Sequence, residues 1–325
     1  MKILSEIKEP IGSELIEFNE FFKKKLDTDV ALLNIILRYV TKKKGKQIRP
    51  VLVLLSAGLC GEISERSYNG ASMVELLHTA TLIHDDVIDR AKIRRGIASV
   101  NSEWNNKIAV LVGDYLLSMG LLSSIDADEF KFLKSTSKAV GAMSESELMS
   151  LDKSKKFKID EATYLKIIKG KTATLMATCC EIGAISASDD QLIHKKMEDF
   201  GMNLGMAFQL RDDLFDYITK QSIIGKPVGN DLKEKKMTLP LLHALENGES
   251  SFSKKIIKSI KNEKLTKSDI NYIISFVKEY GGVDYTENLA NKYIQNSKAL
   301  LSSFPESKYK TALIDLGEFV INRST

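Results

Sequence analysis

Apolar residues recur at every third and fourth position through most of this chain, and that spacing predicts helix after helix. Leu15, Ile16, Phe18, Phe21 and Phe22 predict a helix starting near Ser13, and a second covers Val30 to Tyr39. Pro50 to Cys60 is too apolar for a surface element and reads as core, with its proline suited to a helix's first turn. Further helices are predicted from Ser67 to Arg90, from Ile108 to Leu122 in the centre of the molecule, through Ser144 to Leu151, and from Thr163 to Ile185. Lys153 to Asp160 reads as a polar connection. No proline lies between Pro50 and Pro227, and no alternating strand pattern flanks an Asn-Gly or Asp-Gly turn. From Leu239 onward the helices are more polar, Gly281-Gly282 marks a turn, and the segment reads as scaffold. The fold class is all-α.

Composition narrows the picture without naming a function. The 325 residues are 43% hydrophobic and 28% charged, ordinary for a globular protein and enough for one large helical domain over residues 1–325. Forty-seven basic against 43 acidic residues leave a net charge of +4, which argues against nucleic acid as the main partner. Cys60, Cys179 and Cys180 have neither metal-site spacing nor a disulfide framework, and fit a reducing cytoplasm. The N-terminal MKILSEIKEP lacks the apolar core of a signal peptide. Val51 to Cys60, the longest mainly apolar run, is about half of the roughly 20 residues a membrane-spanning helix needs. No transmembrane segment is expected.

Two stretches break the hydrophobic pattern in the same way. Leu82-Ile83-His84-Asp85-Asp86-Val87-Ile88-Asp89 and Leu210-Arg211-Asp212-Asp213-Leu214-Phe215-Asp216 both read D-D-x-x-D amid apolar residues. On a helix the first and last aspartate lie one turn apart on one face, with the middle one beside them. Like charges at that spacing destabilise a helix by roughly 0.2–0.5 kcal/mol per pair, and burial among Leu, Ile and Phe costs far more. A hard divalent cation held by carboxylate oxygens is the simplest compensation.

Basic residues follow each triplet. Arg90, Lys92, Arg94 and Arg95 come directly after the first, and arginine forks match phosphate oxygens bidentately. Gly225-Lys226-Pro227-Val228-Gly229 and Lys233 to Lys236 follow the second as a loop able to close over phosphates. Arg49 stands just before a helix start, where anions are favoured, although Lys42 to Lys46 also reads as a solvated lysine run. Lys171 begins an otherwise uncharged stretch and either snorkels or meets an anion. Glu75-Leu76-Leu77-His78 has the E-x-x-H spacing of di-iron bundles, but no second histidine follows a glutamate at that distance. His78 lies two turns before Asp85, roughly on its side of the helix. Asp189-Asp190 lacks a third aspartate and reads as a solvated helix start.

Taken together, GKQIRP (45–50), ELLHTATLIHDDVIDRAKIRRG (75–96), LVGDYLL (111–117), GKTATL (170–175), FQLRDDLFD (208–216) and GKPVGNDL (225–232) resemble the trans-polyprenyl diphosphate synthases in matching order. The resemblance implies an isoprenoid synthase-type bundle of antiparallel helices around a central cavity, a homodimer, and Mg²⁺ as cofactor, three ions with diphosphate bound. Asp85, Asp86, Asp89, Asp212 and Asp213 match metal-binding positions, with Asp216 closing the second motif. Arg94, Lys171, Thr172, Gln209, Lys226 and Lys236 match the site for an allylic diphosphate such as farnesyl or geranyl diphosphate. Gly45, Lys46, Arg49, His78 and Arg95 match the site for isopentenyl diphosphate.

In that family, side chains before the first triplet line the tunnel into which the product grows. Ala80 and Thr81 are small here, with Leu77 and Met73 further down, which implies a long product of hexaprenyl to octaprenyl length for a quinone side chain. Ser150 stands where relatives often carry glutamine. Three alternatives stand beside this reading. A geranylgeranyl-length synthase shares every motif. A class I terpene synthase would use an allylic diphosphate alone, against which GKQIRP and His78 speak. A non-catalytic partner subunit would be expected to lose one triplet.

Overall fold

The computed structural model describes residues 3–42, 45–156, 159–218, 229–261 and 265–323. Helices of eight residues or more are numbered in chain order: α1 Gly12–Lys25, α2 Ala31–Lys42, α3 Ile48–Cys60, α4 Glu65–Ile88, α5 Asn106–Asp126, α6 Phe130–Lys156, α7 Glu161–Ile168, α8 Thr174–Ala187, α9 Gln191–Ile218, α10 Leu239–Asn247, α11 Ser250–Lys261, α12 Lys267–Glu279, α13 Gly282–Leu301 and α14 Lys308–Asn322. The all-α expectation holds. Boundaries differ where side chains cap or extend a helix beyond its apolar pattern. The first half of the stretch read as a polar connection is the end of α6, which runs to Lys156. Asp160 then caps α7, its carboxylate accepting the Thr163 N–H at 2.8 Å.

The principal core lies where α3, α4, α8 and α9 meet. Val51 to Leu55, Val74, Cys179, Cys180, Ile182 and Leu204 are buried there. The three cysteines are free, and burial pushes the Cys60 and Cys180 thiols up to about 12. The spacing of α8 and α3 depends on Gly183, because a Cβ there would meet the Val53 carbonyl oxygen at 2.3 Å. A second core joins α7, the C-terminal half of α9, α10 and α12 around Leu210, Tyr217, Leu241 and Ile273. A third joins α2, α4 and α5 around Leu37, Leu76, Ala80, Val112 and Leu116.

The helix predicted over Ile108 to Leu122 forms, but on a flank rather than in the centre. Only a third of its most apolar stretch is buried, and Leu111, Leu121, Leu122 and Ile125 are exposed along it. Over Asn106–Asp126 it is long and apolar enough to cross a membrane by length and composition alone, contrary to the expectation from Val51 to Cys60. Its half-buried state is that of a core helix with one uncovered face.

One short sheet interrupts the helices. Ile93–Arg94 pairs antiparallel with Ile97–Ala98, in the register Ile93 with Ala98 and Arg94 with Ile97. The turn between them is Arg95-Gly96, with φ of 51° and 75°. Two positive φ angles in a two-residue hairpin turn suit the twist of the strands, and glycine takes that conformation freely while arginine does not. Arg-Gly carries neither asparagine nor aspartate as a turn marker, so the hairpin left no sign in the sequence.

Candidate active site

α4 and the hairpin present the first triplet and its arginines. Asp89 ends the helix, its N–H bonded to the Asp85 carbonyl at 2.8 Å. Burial raises the Asp85 carboxyl above the usual range, with Lys171 opposing that shift and Glu147 and Asp89 adding to it. Asp86 turns to the other flank of the helix, is only 4% exposed, and accepts the Arg94 Nε–H at 2.9 Å together with an Nη2–H. Asn101 donates to the carbonyls of Asp86 and Ala91, both at 3.2 Å, and pins the connection that carries the arginines.

The second triplet sits on α9 and is held from three other parts of the chain. Asp213, 5% exposed, accepts the Tyr164 hydroxyl at 2.5 Å and the Gln209 side-chain N–H at 2.7 Å. Burial pushes its carboxyl up to about 7. The two hydrogen bonds counter that rise, whereas Asp231 and Asp212 reinforce it. Asp216 accepts the backbone N–H of Asp231 at 2.5 Å. Asp212 pairs with Arg323, whose guanidinium also donates to the Phe208 carbonyl at 3.2 Å and lies 3.9 Å from the Phe208 ring centroid. The C-terminal segment read as scaffold therefore reaches the site through this arginine.

Between the two triplets lies a π-helical turn, Lys169–Ala173, where one unbroken helix from Thr163 to Ile185 was expected. It packs closely on α6: a Cβ on Gly170 would stand 1.8 Å from the Ser146 hydroxyl. The turn sends Lys171 towards the first triplet, where it pairs with Glu147 and acts on Asp85. Its neighbour Thr172 faces the second, donating to the Gln209 side-chain Oε1 at 2.7 Å. Such one-turn π segments recur at functional sites.

GKQIRP closes a polar cavity of about 240 Å³, lined by Gly45, Lys46, Arg49, Glu75, His78, Arg95, Phe208 and Arg323 among others. Arg49 is partly buried, and its Nε, which is fully buried, has no hydrogen-bond partner among the described residues. Glu75 lies close by, its carboxyl raised by burial and drawn back down by Arg49 and Arg95. Burial, then Arg49, Arg95 and Arg94, hold His78 well below the usual imidazole range, so its ring is neutral at neutral pH. Gly45 lies close against the Arg95 guanidinium, where a Cβ would stand 2.9 Å from its central carbon. Gln47 precedes α3 in a left-handed conformation, φ 52°, and with Arg95 adds to the strained residues at the site.

The remaining predicted residues fall as follows. Lys236 pairs with Glu234 at 2.6 Å; burial works against its charge, but Glu234, Asp231 and Asp89 together raise its pKa. Lys226 lies outside the described residues. Met73 and Leu77 are buried in the principal core, with Met73 accepting the Ser124 hydroxyl at 2.7 Å. Ala80 is buried against α5, while Thr81 is half-buried. Among the described residues no group of three His, Cys, Asp or Glu side chains is gathered to hold a metal ion. A hard cation still suits the all-oxygen donor set, since burial has left Asp85 and Asp213 short of positive charge. Tyr164, Glu147 and Arg323 were not foreseen. Tyr164 stands two helical turns before Lys171, but nothing local distinguishes it from a core tyrosine.

A model of the family described as polyprenyl synthetase matches residues 30–277. An all-trans-nonaprenyl-diphosphate synthase (geranyl-diphosphate specific) from Rhodobacter capsulatus is 33% identical over 319 residues, covering 98% of this chain and 97% of that protein. An octaprenyl diphosphate synthase from Haemophilus influenzae is 33% identical over 321 residues, covering 99% and 97%. The crystal structure of a polyprenyl synthase from Caulobacter crescentus, complexed with calcium and isoprenyl diphosphate, superposes with a TM-score of 0.91 at 31% identity and covers 99% of this chain and 98% of that one. Both aspartate triplets fall within the matched span, and the chain belongs to the polyprenyl synthetase family of prenyltransferases.

Proposed function

We propose that this enzyme, one domain over residues 1–325, condenses isopentenyl diphosphate with an allylic diphosphate, farnesyl or geranyl, and elongates it to hexaprenyl to octaprenyl length. The observation that carries this reading is the π turn: Lys171 acts on the first triplet while Thr172 is bonded into the second. An allylic diphosphate between the triplets would meet Arg94, Lys171, Thr172, Gln209, Lys226 and Lys236. Isopentenyl diphosphate fits the basic cavity, with Arg49, Arg95 and Lys46 on its phosphates and neutral His78 as a hydrogen-bond partner.

Asp85, Asp86, Asp89, Asp212, Asp213 and Asp216 would hold Mg²⁺, three ions with diphosphate bound. When bound, the metal supplies positive charge to the departing diphosphate. Lys171 and Arg94 add their own cations, so the allylic C–O bond ionises in a site prearranged for the leaving anion. The cavity keeps the second substrate's double bond near the allylic cation and water away from it. Among the described residues no histidine or carboxylate stands out as a base, and the released diphosphate takes the proton. The exposed apolar face of α5 suits a second copy of the chain, consistent with a cytoplasmic homodimer supplying a quinone side chain.

Incubation with farnesyl diphosphate, isopentenyl diphosphate and Mg²⁺, followed by mass spectrometry, is expected to yield products longer than geranylgeranyl diphosphate. Turnover of an allylic diphosphate alone would favour a terpene synthase. Ala80→Tyr is expected to shorten the product, and an unchanged spectrum would mean the tunnel runs elsewhere. Asp85→Ala should lower turnover on the order of 10²-fold or more without lowering the melting temperature, because it removes a desolvated carboxylate; retained turnover would contradict the metal role. Leu122→Glu should shift sedimentation from dimer to monomer, whereas a monomeric parent protein would end the dimer reading.

The raised Asp213 carboxyl sets a pH dependence in the metal-free protein. The folded state binds this proton more tightly than the unfolded chain, so its stabilising effect is full below the usual aspartate value and is lost as pH rises through about 7. Asp213→Asn, which can bond to a flipped Gln209, is expected to raise the melting temperature at pH 8 in EDTA and flatten its decline between pH 5 and pH 8. An equal decline in both proteins would refute this.

A further inference from the structure

Outside the catalytic groove, α1, α2, the hairpin and the outer flank of α4 enclose a larger cavity of about 510 Å³. Its walls are mostly apolar, with Phe18, Phe22, Leu37, Val40, Ile83 and Val100 among them. That volume is in the range of small-molecule sites and far above the voids of a packed core. At 3.6 residues per turn, Glu75, Thr79, Leu82 and Asp86 form the stripe of α4 that faces this cavity. Asp85, Thr81, Leu77 and Met73 lie on the remaining faces, so the space is distinct from the tunnel expected before the first triplet.

Charge is concentrated in the polar part of the lining. Arg94 and Arg95 both contribute to it, with Asp86 and Glu75 as their neighbours. Lys23, Arg38 and Lys42 are opposed only by Asp27, so cations outnumber carboxylates over the whole lining. Gly45, Gln47, Glu75 and Arg95 line this cavity and the smaller polar one alike. An apolar chamber that shares its arginines with a diphosphate site is complementary to a molecule with a long apolar tail and a compact anionic head.

We propose that this cavity is a second, metal-independent binding site for a prenyl diphosphate, with the tail between α1, α2 and α4 and the head at Arg94 and Arg95. The ligand class rests on the proposed function; the cavity and its charges do not. Arg94 and Arg95 cannot hold this head and serve both substrates together, so an occupied chamber slows turnover and the enzyme's own long product inhibits it.

The chain carries its own reporter. Its single tryptophan, Trp104, meets the cavity-lining Tyr39 edge to face, with ring centroids 5.1 Å apart. In EDTA, where the aspartates have no metal with which to hold a diphosphate, geranylgeranyl diphosphate is titrated against Trp104 fluorescence. A saturable change is expected, at least tenfold weaker for geranylgeraniol and absent for inorganic diphosphate. Val40→Phe, which fills the chamber, and Val40→Glu, which charges it, should each weaken this binding at least tenfold. Both should keep the initial rate and relieve inhibition by added product. Equal response to inorganic diphosphate, a response that requires Mg²⁺, no response, or undiminished binding in a folded Val40 variant would each overturn the proposal. None of these results depends on which product the enzyme makes.

Discussion

Buried negative charge is the constraint on which the rest of this structure depends. A desolvated carboxylate without a partner is among the least favourable arrangements in a fold, and removing its partner costs more than the pair contributes. Here the partners come from distant parts of the chain. Buried Asp86 draws in Arg94 from the hairpin and buried Asp213 draws Tyr164 from α7, while the half-buried Asp216 takes the backbone N–H of Asp231 and the half-buried Asp212 pairs with Arg323 from beyond α14. Each bond fixes the position of a segment that the apolar cores alone would leave free to slide.

The two proposed substrate regions use opposite electrostatics. The aspartate groove has excess negative charge and gains from a cation. The GKQIRP cavity has excess positive charge and gains from an anion: Arg49 and Arg95 act on a single carboxylate, Glu75, and reinforce the burial that keeps His78 neutral. Hydrogen bonding by a neutral imidazole adds no charge to a site already rich in it. A diphosphate on either side therefore completes a charge balance that the protein leaves open.

Much of this was legible in the sequence, for identifiable reasons. Helices came from apolar spacing, and the triplets stood out because three aspartates among Leu, Ile and Phe contradict burial preferences. Gly45, Lys46, Arg49 and His78 were ambiguous residue by residue and took on meaning only through their order along the chain. What stayed hidden depends on contacts between distant residues. Arg95 adopts a left-handed turn without a marker dipeptide, α5 is apolar yet exposed, and Tyr164 and Arg323 matter only for what folding brings beside them. The cavity between α1, α2 and α4 is a property of packing, and no local pattern encodes it.

The π turn has a consequence for how the two cores are connected. Before it, Tyr164 and Ile168 belong to the C-terminal core; after it, Leu175, Met176 and Cys179 belong to the principal one. One extra residue in the turn rotates everything downstream by about a quarter of a turn relative to an unbroken α-helix. The segment thus acts as a phase shifter, aligning one helical stripe with each core. Deleting a single residue there would restore regular helix geometry and set the two stripes out of register. The link between the two triplets and core assembly would then fail together, because Lys171 and Thr172 occupy the residues that carry the offset.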